Sequence, residues 1–151
     1  MSHLSLRPLD LAALVDTVTA PDRGGVVTFV GTVRDHHQGR GVTGLSYSAY
    51  EPMAESVCAA IRAEAERRWP VRAALVHRLG DLDIGDAAVA IAVASAHRDE
   101  AFAACRYVIE EVKRRVPIWK RERFTDGTEE WVDPTAQGIA SRESGIGTLS
   151  P

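Results

Sequence analysis

The residues best suited to chemistry lie in one short basic segment, residues 110–124, which reads EEVKRRVPIWKRERF. Six cations fall within eleven of its residues, in a chain whose net charge is −3: Lys113, Arg114, Arg115, Lys120, Arg121 and Arg123. Nearby cations or partial burial lower the pKa of a lysine, which makes neutral amine available for catalysis. Lys113 and Lys120 have such neighbours, and Pro117 and Trp119 lie between them. We therefore expect the two lysines to line an anion-binding catalytic pocket.

The alternative for this segment is a solvated basic helix end, which is favourable to the helix dipole. Arg114 fits that alternative, because it falls on the side of its helix opposite the apolar face. Lys113 falls about 80° from the centre of that face at 100° per residue, which places its stem along apolar surface and its amine in a cleft.

Further polar candidates stand where predicted strands end. His97 and Arg98 occupy a strand-to-helix junction, where free N–H groups favour anions, and Arg34 ends an earlier strand. His36 and His37 follow Arg34 in a polar loop. Adjacent histidines in a strand point apart, and further ligands at useful spacing are lacking, so the sequence does not predict a metal site.

Hydrophobic periodicity predicts eight elements in the order α-β-β-α-β-β-α-β. The helices are expected at residues 11–18, at residues 51–68 and from residue 98 to Pro117, and the strands at 25–33, 42–50, 71–80, 87–95 and 129–133. The strand at 87–95 has almost no polar residue and is expected at the centre of its sheet. The strands at 25–33 and 42–50 are expected to form a long hairpin.

This order indicates an α+β fold in which helices pack on a mixed or antiparallel sheet. We expect residues 1–133 to form a single catalytic domain. Residues 134–151 are rich in Gly, Ser and Thr with few apolar anchors, which predicts a loose tail.

Composition narrows the class of protein. A pI near 5.9 argues against a dedicated nucleic-acid binder. Cys58 and Cys105 show no metal spacing and are expected as buried free thiols in a reducing compartment. The sequence has no run of 18 apolar residues and no signal-peptide pattern, so we expect a cytoplasmic protein without a membrane span.

Five stretches together resemble the large, catalytic subunit of molybdopterin synthase, over about residues 25–133. They are VTFVGTVRDH (27–36), Tyr50-Glu51-Pro52-Met53, HRLGDLDIGD (77–86), SAHRDEAF (95–102) and the pattern K-x-R-x-P-x-W-K (113–120). The resemblance implies a hammerhead-like α/β fold. It also implies a sulfurtransferase that forms the dithiolene of molybdopterin from cyclic pyranopterin monophosphate, in molybdenum cofactor biosynthesis. The sulfur would arrive as a thiocarboxylate on the C-terminal Gly-Gly of a small ubiquitin-like subunit.

The same resemblance implies roles for individual residues. Lys113 would lie beside the inserted C-terminus and Lys120 beside the pterin, both as acid/base or charge-stabilising groups. The residues expected to bind the substrate are Arg34, His97, Arg98, His36 and Arg121. No cofactor of the protein's own is implied.

The family is a homodimer with a small subunit at each end, and its sites draw residues from both protomers. His97 and Arg98 are therefore expected to serve the lysines of the neighbouring protomer. Family members can carry an arginine shortly after Trp-Val, where this chain has Asp133-Pro134. Either Arg142 replaces it from the tail, or this chain lacks the contact.

Two other functions remain open from the residues alone. One is a non-catalytic binding module whose basic edge, residues 113–123, docks an acidic protein or RNA. The other is a sensor of phosphate ligands that works without a protein partner.

Overall fold

The structure, a computed structural model, describes residues 2–132. Its helices are α1 (Leu11–Asp16), α2 (Glu51–Arg68) and α3 (Arg98–Arg115). Its strands are β1 (Leu4–Ser5), β2 (Gly25–Thr32), β3 (His36–His37), β4 (Arg40–Ala49), β5 (Val71–Arg78), β6 (Gly80–Asp83), β7 (Ala87–Ser95), β8 (Ile118–Phe124) and β9 (Glu129–Val132). All eight predicted elements are present, and β1, β3, β6 and β8 are added to them.

The strands form two sheets, so the predicted α+β class with mixed pairing is confirmed. The first sheet has the order β1-β5-β7-β2, in which β1 runs parallel to β5 and the other pairs are antiparallel. The strand β7 lies between β5 and β2, and its residues from Ala88 to Ser95 are buried. Its near-absence of polar residues thus predicted its central position correctly.

The second sheet has the order β3-β4-β8-β9, with β6 also paired to β4. The predicted hairpin between β2 and β4 is wrong: β2 pairs with β7 in the first sheet, and β4 pairs with β8 and β6 in the second. The buried strand β7 forms backbone hydrogen bonds with a strand on each side, and β2 is one of these two strands. The polar connection after β2 then leads to the second sheet, so β4 does not turn back to pair with β2.

The helices cover opposite faces of the first sheet. α2 and α3 enclose the main core with Leu75, Ile91 and Val93, and α1 packs on the other face against alanines of β5 and β7. Asp10 caps α1, because its Oδ1 accepts a hydrogen bond from the N–H of Ala13 at 3.0 Å. The thiols of Cys58 and Cys105 are free and buried, as predicted.

The end of α3 matters most for the site. Pro117 follows the capping residue Val116, as expected for a residue that cannot continue a helix, and β8 begins at Ile118. The last turn of α3 and the first residues of β8 therefore lie next to each other. Within residues 2–132, no helix has the length and apolar character needed to cross a membrane. The predicted tail at 134–151, Asp133-Pro134 and Arg142 lie outside the described residues.

Candidate active site

A narrow pocket opens where α3 ends beside β8. Lys113 comes from the last turn of α3 and Lys120 from β8, and Tyr47 on β4 and His77 on β5 line the same space. The remaining wall is apolar: Val89, Val112, Val116 and Ile118. The pocket encloses about 40 Å³, which is room for roughly three water molecules. It thus has room for a slender group.

Lys113 has the surroundings of an activated amine. The residue as a whole has exposed surface, and its side chain lines the pocket. Burial lowers the pKa of Lys113, and the positive charges of Lys120 and Arg34 lower it further. The three effects act in the same direction, because each disfavours the ammonium form. The pKa shift also shows that Arg34 is close enough to be felt at the pocket.

The pocket floor is polar but uncharged at neutral pH. Burial lowers the pKa of His77 to about 4, against a hydrogen bond to the carbonyl of Arg78 that favours the charged form, and the charge of Lys113 adds to the lowering. Burial and the charge of Glu122 raise the pKa of Tyr47 to about 12. The two rings meet edge to face, with centroids 4.8 Å apart. They therefore offer hydrogen-bonding groups to a bound ligand and add no charge of their own.

Lys120 lies beside a buried carboxylate. Its Nζ lies 3.6 Å from Oε2 of Glu122, a residue only 3% exposed. The other carboxylate oxygen, Oε1, is 2.5 Å from Nδ1 of His37. Lys120 and Glu122 are two residues apart on β8, which places their side chains on the same face of the strand. The side chains of His37, Glu122 and Lys120 thus form a chain of contacts that ends in the pocket.

The other cations of the basic segment are paired with carboxylates. Each partner is within 4.0 Å: Glu111 for Arg114, Glu64 and Glu111 for Arg115, Glu129 for Arg121, and Asp81 for Arg123. Lys113 alone of the six has no carboxylate partner within residues 2–132. The segment is therefore not a free basic patch, which argues against a surface that docks RNA or an acidic protein.

The alternation of β8 separates the predicted residues. Arg121 stands on the face opposite Lys120, where it contacts Glu129 and the ring of Trp131. Trp119 is 39% exposed on that same face, so the neighbour of the Lys120 side chain on β8 is Glu122 and not Trp119. His36 is exposed at the hairpin of β3 and pairs with Asp35. The structure brings neither Arg121 nor His36 into the pocket.

His97 and Arg98 lie far from the lysines of their own chain. Both are exposed at the beginning of α3, whereas Lys113 is in its last turn. Lys113 follows Arg98 by fifteen positions of the helix, which is about 22 Å at 1.5 Å per residue. A single chain therefore does not gather all the predicted substrate-binding residues around one pocket.

Four residues in the pocket or next to it escaped the sequence reasoning. The sequence pattern assigned Tyr47 to the apolar face of a strand and His77 to another strand. His37 was considered only as a weak candidate for a metal ligand. Glu122 was overlooked because cations surround it in the sequence, although its spacing of two residues from Lys120 indicated a shared face of the strand.

Among residues 2–132, the structure has no group of three His, Cys, Asp or Glu side chains arranged to hold a metal ion.

Comparison with known proteins identifies the family. Residues 4–115 match the family described as MoaE protein. A molybdopterin synthase catalytic subunit of Bacillus subtilis is 46% identical over 131 residues, covering 86% of this chain and 83% of the relative. Catalytic subunit 1 of Mycobacterium tuberculosis is likewise 46% identical, covering 86% and 88%.

Solved structures agree with these relatives. The molybdopterin synthase structure from Staphylococcus aureus matches with a TM-score of 0.83 and 39% identity, covering 87% of this chain and 96% of that one. A complex of subunits 1 and 2 of molybdopterin-converting factor from Helicobacter pylori matches with a TM-score of 0.70 and 25% identity, covering 86% and 87%. The chain belongs to the MoaE family of molybdopterin synthase catalytic subunits, as its motifs had indicated.

Proposed function

We propose that this enzyme transfers sulfur from the C-terminal thiocarboxylate of a small ubiquitin-like subunit to cyclic pyranopterin monophosphate. The product is the dithiolene of molybdopterin, and the reaction takes place in the cytoplasm. The observation that carries the proposal is the pairing of two lysines in one narrow pocket. The Helicobacter pylori complex of subunits 1 and 2 supports a small protein partner.

The shape of the pocket supports a division of labour between the lysines. A space of about 40 Å³ suits the extended, side-chain-free backbone of a Gly-Gly terminus better than a pterin. Lys113, against the apolar wall, is then placed to meet the inserted thiocarboxylate. Lys120, on β8, faces the pterin at the mouth of the pocket.

The charges of the pocket suit this chemistry. The substrate, the thiocarboxylate and the oxyanion-like intermediates are all anionic, and preorganised positive charge stabilises such species strongly. Neutral Tyr47 and His77 leave the lysines as the charges of the pocket. Of the 18 basic residues of the chain only these two are lysines. Lysine is the one of the two basic side chains that can give up a proton in catalysis, because arginine stays charged.

A second copy of the chain would supply the distant residues. β2 is the edge strand of the first sheet and exposes Val26, Phe29 and Val30. Antiparallel pairing of two β2 strands about a twofold axis would place the beginning of one beside the end of the other. Arg98 lies against Gly25 at the beginning of β2, and Arg34 follows the end of β2. Arg98 and His97 of one protomer would thereby approach Arg34 and the lysines of its partner.

The test of catalysis compares Lys113→Ala and Lys120→Ala with Arg114→Ala. The control removes a 46% exposed cation from the same helix turn as Lys113. With thiocarboxylated partner and pterin substrate, we expect each lysine variant to lose at least about a hundredfold in rate, as for a removed acid/base group. Arg114→Ala should keep the wild-type rate. Wild-type rates in both lysine variants would refute the proposal.

The test of the dimer uses mixed subunits. Lys113→Ala and Arg98→Ala chains are each expected to be inactive, but a mixed dimer would contain one intact site. Statistical mixing should restore about a quarter of the wild-type activity if the dimer is symmetric. Failure to recover any activity would place both residues in the same protomer's site. Phe29→Asp should give monomers by ultracentrifugation, whereas Ile84→Asp, equally exposed elsewhere, should not.

A further inference from the structure

His37 is the least expected member of the pocket's contact chain. It lies on β3, at a tight turn whose residues Gln38 and Gly39 have φ values of 52° and 80°. Positive φ at both turn residues is the geometry that joins two strands through a two-residue loop. β4 separates β3 from β8, so the contact between His37 and Glu122 crosses one strand.

The buried carboxylate of Glu122 has two competing partners. Its Oε1 receives a short hydrogen bond from Nδ1–H of His37 at 2.5 Å, whereas its Oε2 lies 3.6 Å from Lys120 Nζ. The first contact is a hydrogen bond to a charged acceptor, whereas the second is too long for a hydrogen bond. The side chains of His37 and Lys120 are 16% and 18% exposed, so little water can substitute for either partner.

We propose that His37 is a positioning residue that holds Glu122 back from Lys120 and so leaves the lysine amine free to turn towards the pocket. Without His37, Lys120 is the charged partner left to the buried carboxylate among residues 2–132. The gap of 3.6 Å then closes to a hydrogen-bonded ion pair, which turns the Lys120 amine away from the pocket and shields it from reagents. This role deepens the proposed function and rests on it for its catalytic meaning.

The chain offers an unusually clean measurement of this effect. Lys113 and Lys120 are its only lysines, so acylation of ε-amines by acetic anhydride gives two signals in peptide mass spectrometry. The rate of acylation reports the access and proton-free fraction of each amine. The measurement needs neither substrate nor partner, so its outcome is independent of whether the sulfur transfer itself is correct.

The variants separate positioning from bulk. His37→Leu removes the donor, and His37→Asn keeps an amide N–H where Nδ1–H was. We expect acylation of Lys120 to slow by about tenfold in His37→Leu, the factor given by a hydrogen bond to a charged group. His37→Asn should stay near wild type. Lys113, which has no contact with Glu122, is the internal control and should change much less.

A second pair of variants tests the route through Glu122. In Glu122→Gln the charge is absent, so adding His37→Leu to it should leave the Lys120 rate unchanged. Three outcomes would overturn the proposal: an unchanged Lys120 rate in His37→Leu, a rate in His37→Asn as low as in His37→Leu, or a full His37 effect without the Glu122 charge. If the acylation pattern holds while Lys120→Ala keeps full enzymatic activity, the positioning stands and the sulfur-transfer proposal fails.

Discussion

Replacement of Glu64 by Gln tests what fixes the end of α3 that carries Lys113. Glu64 on α2 accepts hydrogen bonds from both terminal nitrogens of Arg115 on α3, at 2.7 and 3.0 Å. The hydroxyl of Tyr107 donates a third at 2.6 Å. Arg115 lies two residues from Lys113, so this network ties the lysine's helix turn to the neighbouring helix.

The magnitude follows from the pKa of the Glu64 carboxyl. Arg115 first, and then Tyr107, lower it from its ordinary value of 4.5 to about 2. A lowering of roughly 2.5 corresponds to about 3 kcal/mol of unfolding free energy, at about 1.4 kcal/mol for each unit of pKa. The side chains of Glu64 and Arg115 are 24% and 31% exposed, respectively. Solvent screening therefore reduces the expectation to about 2 kcal/mol.

The sign of the pH dependence is fixed by the direction of that shift. A carboxyl with a lowered pKa in the folded state stabilises the fold above its unfolded pKa. This stabilisation is lost as the pH falls from about 4.5 towards 2. The difference between wild type and Glu64→Gln should therefore be full at pH 7 and roughly halved at pH 3.

Urea-induced unfolding followed by circular dichroism measures both values. The control is Glu110→Gln, whose partner Arg106 is 76% exposed and which should cost less than about 0.5 kcal/mol. Two results would refute the reasoning. One is a Glu64→Gln variant as stable as the control at pH 7, and the other is a difference from wild type that does not shrink at pH 3.

Three further predictions concern other described residues. Burial lowers the pKa of His77 to about 4, so as the pH falls the histidine is protonated in the unfolded state before it is protonated in the folded state. The free energy of unfolding should therefore decrease by up to about 3 kcal/mol as the pH falls from 6.5 to 4. His77→Asn, whose amide can keep the bond to Arg78, should flatten that slope in urea titrations. Gly25→Ala should cost about 1–3 kcal/mol and displace Arg98, since the new Cβ would lie 3.1 Å from the Arg98 backbone nitrogen; thermal unfolding within error of wild type would contradict this. Burial raises the pKa of Cys58 to about 12 and that of Cys105 to about 11, so iodoacetamide at pH 8 should modify neither thiol until urea is added.

The strands show where sequence reasoning works and where it stops. The apolar run of β7 predicted a central strand, because only a strand covered on both faces tolerates such a composition. The partners of β2 and β4 were wrong, since pairing depends on which edges meet after the helices pack. β8 was missed because its buried side of Ile118, Lys120, Glu122 and Phe124 mixes charges into the expected apolar alternation.

The same distinction between local sequence and tertiary packing applies to the site. The sequence by itself determined that Lys113 and Lys120 flank a helix end, because Pro117 stops α3 and the chain between them is too short to separate them. Tertiary structure alone decided the rest. It paired the neighbouring arginines with carboxylates and set buried Glu122 between His37 and Lys120. These contacts join segments up to 85 residues apart in the chain, and such distances are settled by packing and not by local spacing.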